Sequence, residues 1–321
     1  MRRLWIPGMF FLLFVFSLSS AWAQKTVRLS IATGSRESIY YSVGGSLAIL
    51  LSKYIPYLEG TAEVTTASVE NCLLVGKEKA DLAFAMAGTA WDAYQGKKPF
   101  KEKMALRTVA VLYPSVMHVV TIEGKGIEKV MDLKGKRVST GSPGSGTEVI
   151  ALRVLRTYGL NPNKDLTRDK LNVSESASAL KDGKIDAFFW MGGLPAAAIV
   201  DLGTTPGVKM KLIGAAEVIT KMREKYGPFY VRGVIPAKTY PRHTMDFPAV
   251  MVWNVLVCNE AMKENLAYDI AKTLFDQKPE LVASHREVSS LSLEHQAGGD
   301  SPIPFHPGAI RYFTEKGLKT N

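Results

Sequence analysis

The segment at residues 141–148, Gly-Ser-Pro-Gly-Ser-Gly-Thr-Glu, has the composition of a loop that can hold an anion. Its glycines allow positive φ angles and a close approach of a ligand to the backbone. The helical pattern that follows supplies free amides and the positive end of a helix dipole. Ser142, Ser145 and Thr147 add hydroxyl donors. The segment is therefore a candidate anion-binding loop.

The spacing within this loop excludes two familiar kinds of catalytic turn. Gly146 is followed by Thr147 and Glu148, so the lysine that a phosphate-binding P-loop needs is missing. Neither serine has a glycine both two residues before and two residues after it, as a G-x-S-x-G nucleophile elbow requires. An ordinary glycine-rich turn, with Ser145 or Thr147 as the helix N-cap, stays open as the alternative.

Residues 1–23 have the pattern of a secretory signal peptide. Arg2 and Arg3 precede an apolar stretch at residues 9–18, and residues 21–23 form a small-x-small cleavage site. The apolar stretch is shorter than a membrane-spanning helix requires. We therefore expect cleavage after Ala23 and a periplasmic mature chain.

The composition narrows the classes of function. The formal net charge is +10, and loss of the two leader arginines leaves +8 without any lysine or arginine block, so no nucleic-acid surface is indicated. The histidines lack metal-site spacing, and no nucleophile has an evident base, so we expect no metal, no cofactor and no catalytic residues. Cys72 and Cys258 lie in apolar contexts, either bridged or as two buried thiols.

Hydrophobic patterns predict alternating strands and helices in the first third of the mature chain. The predicted strands are at residues 27–31, 62–66 and 82–85, and the predicted helices at 41–54, 68–79 and 89–95. Strands separated by helices of this length indicate βαβ units on a parallel sheet. A second α/β series begins after two apolar stretches, at 109–113 and 116–122, that Pro114 and Ser115 interrupt.

The predicted fold class is therefore α/β, with two lobes that each contain a mainly parallel sheet flanked by helices. Lobe 1 is expected at residues 24–116 and 215–321, and lobe 2 at residues 117–214. Two chain crossings between lobes make a hinged clamshell, in which a ligand binds at the carboxyl ends of the strands.

Seven short motifs recur in order along the mature chain. They are Ala32-Thr33-Gly34, Tyr40-Tyr41 with Gly44-Gly45, Ser68-Val69-Glu70-Asn71, Ala80-Asp81-Leu82-Ala83, Pro143-Gly144-Ser145-Gly146-Thr147, Asp182-Gly183-Lys184-Ile185-Asp186-Ala187, and Ile235-Pro236-Ala237 with Tyr240-Pro241. In this order and at these separations they resemble the TAXI family of extracytoplasmic solute receptors, which serve TRAP transporters. The resemblance implies a type II periplasmic binding protein that acts as a monomer.

The resemblance also implies a ligand, a partner and a set of site residues. The ligand would be a small organic anion, such as the dicarboxylates glutamate or 2-oxoglutarate, delivered to the membrane permease subunits of a TRAP transporter. The motif positions expected in the cleft are Thr33, Gly34, Tyr40, Ser68, Asn71, Ser145, Gly146 and Thr147. The turns that face the same cleft add Met86, Ala87, Gly88, Ser142, Gly144, Trp190 and Gly192.

Two residues depart from the family pattern near the expected ligand. Arg36 stands where small residues are usual, and it could either clamp a ligand carboxylate or pair with Glu37 at the surface. Met86 replaces the usual glutamine and makes one wall of the cleft less polar. A periplasmic ligand sensor or a secreted α/β enzyme that acts on a small anion is the alternative function.

Overall fold

The computed structural model describes residues 26–297 and 301–319. The predicted signal peptide and its cleavage site lie outside these residues. The strands are β1 (Val27–Ala32), β2 (Leu58–Glu63), β3 (Leu82–Met86), β4 (Leu106–Ile122), β5 (Arg137–Ser139), β6 (Thr167–Asp169), β7 (Ala187–Gly192), β8 (Met210–Leu212), β9 (Tyr230–Ile235) and β10 (Phe247–Asn259). The helices are α1 (Ile39–Tyr54), α2 (Ser68–Gly76), α3 (Ala87–Gln95), α4 (Gly146–Thr157), α5 (Val173–Lys181), α6 (Ala197–Thr204), α7 (Ile219–Tyr226), α8 (Glu264–Asp276), α9 (Lys278–Ser284) and α10 (Pro307–Glu315). None of the described helices is long and apolar enough to cross a membrane.

All these strands belong to one ten-stranded sheet with the order β2-β1-β3-β10-β4-β7-β5-β6, in which β8 pairs with β4 and β9 pairs with β10. Strand β1 is parallel to β2 and β3, and β5 is parallel to β6 and β7. Strands β4 and β10 are antiparallel to each other and to their other neighbours. The predicted βαβ units thus form the outer strands of each lobe, and two long antiparallel strands join the lobes.

The two lobes meet where β4 and β10 pass from one to the other. The apolar stretches on either side of Pro114 form one continuous strand, β4, and not two. Its first half pairs with the second half of β10, and its second half pairs with β7. Pro114 lies opposite Trp253, and the pairing register shifts between Trp253 and Val255. Such an irregularity accommodates a proline, which has no N–H group for the ladder.

Three apolar clusters fill the molecule. The first, around Leu51, Phe84 and Phe313, forms the core of the first lobe. The second and third lie on opposite faces of the sheet in the second lobe, because the adjacent residues Phe189 and Phe188 point into one each. Residues between 215 and 252 contribute to these second-lobe clusters. We therefore propose that the chain returns to the first lobe near residue 253, later than the predicted boundary at 214.

Cys72 and Cys258 are free thiols, which settles the alternatives that the sequence left open. Both side chains are fully buried. Burial raises the pKa of both thiols, that of Cys258 to about 12. Because the thiolate is the reactive form, neither cysteine is activated as a nucleophile.

A buried histidine ties β4 to the segment that follows β9. The Nδ1 atom of His118 lies 3.0 Å from the carbonyl oxygen of Val116, and its Nε2 atom lies 2.7 Å from the hydroxyl of Tyr240. A carbonyl oxygen only accepts, so Nδ1 carries the proton and Tyr240 donates to Nε2. The Tyr240 hydroxyl in turn accepts a hydrogen bond of 3.0 Å from the Ala196 amide. Burial lowers the pKa of His118 to about 4.

The low pKa of His118 makes folding depend on pH. Its ordinary pKa is 6.5, so below this pH the unfolded chain binds a proton that the folded chain excludes until about pH 4. The contribution of His118 to stability is therefore complete above pH 6.5 and is lost as the pH falls toward 4. Between pH 6.5 and pH 4, the free energy of unfolding of the wild type should fall because of His118. Over the same interval, that of His118→Gln should fall by about 3 kcal/mol less. Urea unfolding at several pH values measures this difference, and parallel losses in the two proteins would exclude His118 as the source.

Candidate functional site

A cavity of about 140 Å³ lies between the lobes, next to the point where β4 and β10 cross. It is bordered by the chain that follows β1, β2, β5 and β6 and by the last residues of β3 and β7, so it lies at the carboxyl ends of these strands. Its lining residues are Ser35, Ser38, Ile39, Tyr40, Thr65, Thr66, Ala67, Met86, Ser115, Gly141, Ser142, Ser145, Gly146, Thr147, Leu171, Asn172, Trp190, Met191 and Gly192. We call this space the central cavity.

Helices α1, α2 and α4 all begin at the central cavity. Their N-cap residues, Ser38, Ala67 and Ser145, each line it. The backbone amides of Ile39, Gly146 and Thr147 have no hydrogen-bond acceptor among the described residues. The N-cap residues of α3 and α5, Met86 and Asn172, line the cavity as well. Unpaired amides and the positive ends of these helix dipoles attract a negative charge.

The side chains around the central cavity carry no full charge, since its lining includes no Lys, Arg, Asp, Glu or His. Its polar groups are amides and hydroxyls. The Oγ1 atom of Thr147 accepts a 3.3 Å hydrogen bond from the Met191 amide, so its own proton remains available to a ligand. An anion in this cavity would be stabilised by dipoles and not by an ion pair. This arrangement suits one anionic group better than two.

The loop at residues 141–148 combines a helix cap with part of the cavity lining. Gly141 and Gly144 have positive φ angles of 97° and 76°. The hydroxyl of Ser145 accepts from the Glu148 amide at 3.1 Å and donates to the carbonyl of Ser142 at 2.7 Å. Ser145 is therefore the N-cap of α4, as the alternative interpretation of the loop predicted, and both hydrogen bonds of its hydroxyl lie within the turn. The donors left for a ligand are the amides of residues 146 and 147 and the Thr147 hydroxyl.

The same loop closes the two lobes against each other. The carbonyl oxygen of Gly144 accepts a 3.1 Å hydrogen bond from the Val69 amide at the start of α2. A Cβ atom added at Gly146 would lie 2.6 Å from Met86 Sδ and 2.8 Å from Ser68 Oγ. The close approach of α4 to the first lobe therefore requires glycine at position 146.

A buried ion pair between Arg153 on α4 and Asp92 on α3 also joins the lobes. The Nη1 atom of Arg153 donates a 2.5 Å hydrogen bond to the Tyr230 hydroxyl, and its guanidinium lies 4.7 Å from the Tyr226 ring centroid. Burial raises the pKa of Asp92, and the Arg153 charge opposes this rise. Removing one member of such a pair leaves the other charge buried and unpaired, which is strongly destabilising.

The structure separates the predicted site residues into two groups. Eight line the central cavity: Tyr40, Met86, Ser142, Ser145, Gly146, Thr147, Trp190 and Gly192. Seven lie outside its lining: Thr33, Gly34, Ser68, Asn71, Ala87, Gly88 and Gly144. Thr33 donates to the Glu63 carbonyl at 2.6 Å, and Asn71 donates to the Phe84 carbonyl at 2.8 Å. These two polar side chains therefore tie β1, β2 and β3 together behind the cavity.

Arg36 lies apart from both groups. It does not line the central cavity but borders a neighbouring groove, together with Glu37. Arg36 is therefore placed to contact only a ligand that extends beyond the cavity. The described residues hold no cluster of His, Cys, Asp or Glu side chains that could bind a metal.

Sequence reasoning missed the buried Asn254 on β10. Its Nδ2 atom donates to the Tyr113 carbonyl at 2.7 Å and to Ser115 Oγ at 2.8 Å, and its Oδ1 atom accepts from the Tyr40 hydroxyl at 2.5 Å. Asn254 thus connects α1 to both crossing strands beside the cavity. An asparagine within the otherwise apolar stretch at residues 250–258 was an available signal, because a buried amide needs partners.

The residue before α2 has a strained backbone. Ala67 has φ 81° and ψ −144°, a conformation that glycine adopts far more easily than alanine. We expect Ala67→Gly to raise the free energy of unfolding by about 1 kcal/mol. Thermal or urea unfolding measures this change. The matched variant Ala90→Gly, inside α3, should instead lose about 1 kcal/mol or more, and equal losses in both variants would contradict strain at Ala67.

Comparisons with known proteins match this architecture. The model of the NMT1-like family matches residues 31–317. A solved structure from Bordetella bronchiseptica RB50 has a TM-score of 0.52 and 16% identity, with coverage of 90% of this chain and 82% of that chain. The alkanesulfonate-binding protein SsuA from Xanthomonas axonopodis pv. citri, bound to MOPS, has a TM-score of 0.49 and 16% identity over 91% and 85% of the two chains. The periplasmic aliphatic sulphonate binding protein SsuA from Escherichia coli has a TM-score of 0.46 and 16% identity, with coverage of 90% of this chain and 82% of that chain. The predicted α/β fold with two lobes is confirmed, and identities this low show the fold alone.

Proposed function

The chain belongs to the NMT1-like family, and from this we propose that it is a solute receptor that binds a small organic anion between its two lobes. The observation that carries the proposal is the convergence of α1, α2 and α4, with unpaired first-turn amides, on a cavity that has no charged side chain. The anionic group lies at the start of α4, where the amides of Gly146 and Thr147 and the Thr147 hydroxyl donate to it.

Binding and lobe closure are coupled in this proposal. The donors of α4 belong to the second lobe, whereas the starts of α1 and α2 belong to the first. A ligand that contacts both sets binds the closed form more tightly than an open form, so it shifts the population toward closure. The contact between Gly144 and Val69 forms part of the closed state.

The chemistry of the cavity narrows the ligand class. Amides and hydroxyls recognise the oxygens of a carboxylate or a sulfonate equally well. The dicarboxylates glutamate and 2-oxoglutarate, which the TAXI resemblance implies, would have to place their second carboxylate outside the lining. The same resemblance implies delivery to the permease subunits of a TRAP transporter by a monomeric periplasmic receptor. The lining pairs no nucleophile with a base, which favours a receptor over a secreted enzyme.

The ligand class is tested with purified chain stripped of bound solute. Isothermal titration with monocarboxylates, sulfonates, dicarboxylates and amino acids should give saturable binding to anions at one site per chain. Neutral amides of the same size should bind at least about 10-fold more weakly, because they do not gain from the helix dipoles. Binding to none of the anions would contradict the proposal.

The contribution of the α4 start is tested by Thr147→Val. Loss of a hydrogen bond to a charged group should weaken anion binding by about 1.5 to 3 kcal/mol. Thr147→Ser keeps the hydroxyl and should bind like the wild type. Thr157→Val is the matched control, because its hydroxyl bonds the Arg153 carbonyl at the far end of the same helix. Equal affinities for the two valine variants would place the ligand elsewhere.

A further inference from the structure

A groove of about 590 Å³ adjoins the central cavity. Ser38, Ile39 and Trp190 line both spaces, so these residues form their common boundary. The groove runs outward between the start of α1 in the first lobe and helices α5 and α6 in the second. We call it the outer groove.

The lining of the outer groove combines apolar side chains with hydroxyls, and its charges lie at exposed positions. The hydroxyl-bearing residues are Ser38, Ser42, Ser174, Ser178 and Thr205. Ile39, Val173, Ala177 and Leu202 contribute apolar surface between the lobes. The charged residues that border the groove, Arg36, Glu37, Lys181 and Asp201, are all exposed. Their charges balance, so the groove attracts neither a second anion nor a cation over its length. Away from these charges, the groove therefore offers hydrophobic contact interspersed with uncharged hydroxyls.

The central cavity is also small for a ligand-binding site. Small-molecule sites usually occupy about 300 to 1,000 Å³, whereas the central cavity holds about 140 Å³. This volume is enough for a head group with a few attached atoms. The adjoining outer groove, at about 590 Å³, lies within the usual range for a ligand site.

Trp190 lies on the boundary between the two spaces and has an unused donor. Its Nε1 atom is buried, and it has no hydrogen-bond partner among the described residues. Buried polar atoms are rarely left unpaired in proteins. The indole also offers a flat apolar face to any group that passes from the cavity into the groove.

We propose that the outer groove binds an apolar extension of the ligand whose anionic head occupies the central cavity. The ligand is then an organic anion with an alkyl chain or an aromatic ring several atoms long, and not a compact dicarboxylate. This inference rests on the proposed function and assigns the substrate class of the same site. Trp190 contacts the ligand at the junction of head and extension.

The test compares two probes that share one head group, propane-1-sulfonate and octane-1-sulfonate, by isothermal titration. Burial of the longer chain should make octanesulfonate bind at least about 10-fold more tightly. Ala197 lines the groove at the start of α6 and is exposed, so Ala197→Phe narrows the groove without disturbing a core. This variant should lose most of the preference for octanesulfonate and bind propanesulfonate as the wild type does.

Thr204→Phe is the control, because Thr204 is an exposed residue of α6 that borders neither space. It should keep the wild-type preference, and its thermal unfolding should match that of Ala197→Phe. Equal affinities of the wild type for the two sulfonates would contradict the proposed role of the outer groove but not the proposed anion site. An unchanged preference in Ala197→Phe would contradict that role of the groove as well. If neither sulfonate nor any carboxylate binds, the proposed function fails together with this inference.

Discussion

The pairing of β4 with β10 is the constraint on which both lobes depend. Each strand begins in one lobe and ends in the other, and the central cavity lies beside the point where they cross. The amide of Asn254 holds this crossing together through β4 and the Tyr40 hydroxyl. A fully hydrogen-bonded buried amide specifies one geometry. The position of α1 relative to the hinge, and with it one wall of the site, follows from that geometry.

Local patterns predicted much of this fold. The helices and strands of the first lobe mostly follow hydrophobic periodicity, as α2 and β3 show. The strand predicted at residues 62–66 is displaced, since β2 spans Leu58–Glu63. The return crossing could not be predicted in the same way. Strand β10 carries apolar residues on both sides of Trp253, and its two halves differ in their partners. The first half pairs with β9, and the second half pairs with β3 and β4. Such a choice depends on contacts between residues distant in sequence, which periodicity does not record.

The site could be predicted only in part for a related reason. The composition of the loop at residues 141–148 indicated an anion cradle, and the structure does place this loop at the cavity between the lobes. Sequence could not distinguish polar groups that face a ligand from those that bond the backbone. Thr33, Asn71 and Ser145 have the chemistry of binding residues, yet their partners are carbonyls and amides of the chain itself. Orientation, and not residue type, decides between the two roles.

In the proposed receptor, the buried pair of Asp92 and Arg153 would affect the speed of ligand release. Any opening that parts α3 from α4 brings both charged groups into contact with water. Hydration then compensates for their separation, and closing again requires the water around both ions to be removed. Closing therefore crosses a dehydration barrier, and opening requires the two ions to part before water reaches them. In the proposed receptor, the residence time of the solute would then be set partly by two side chains that never touch it.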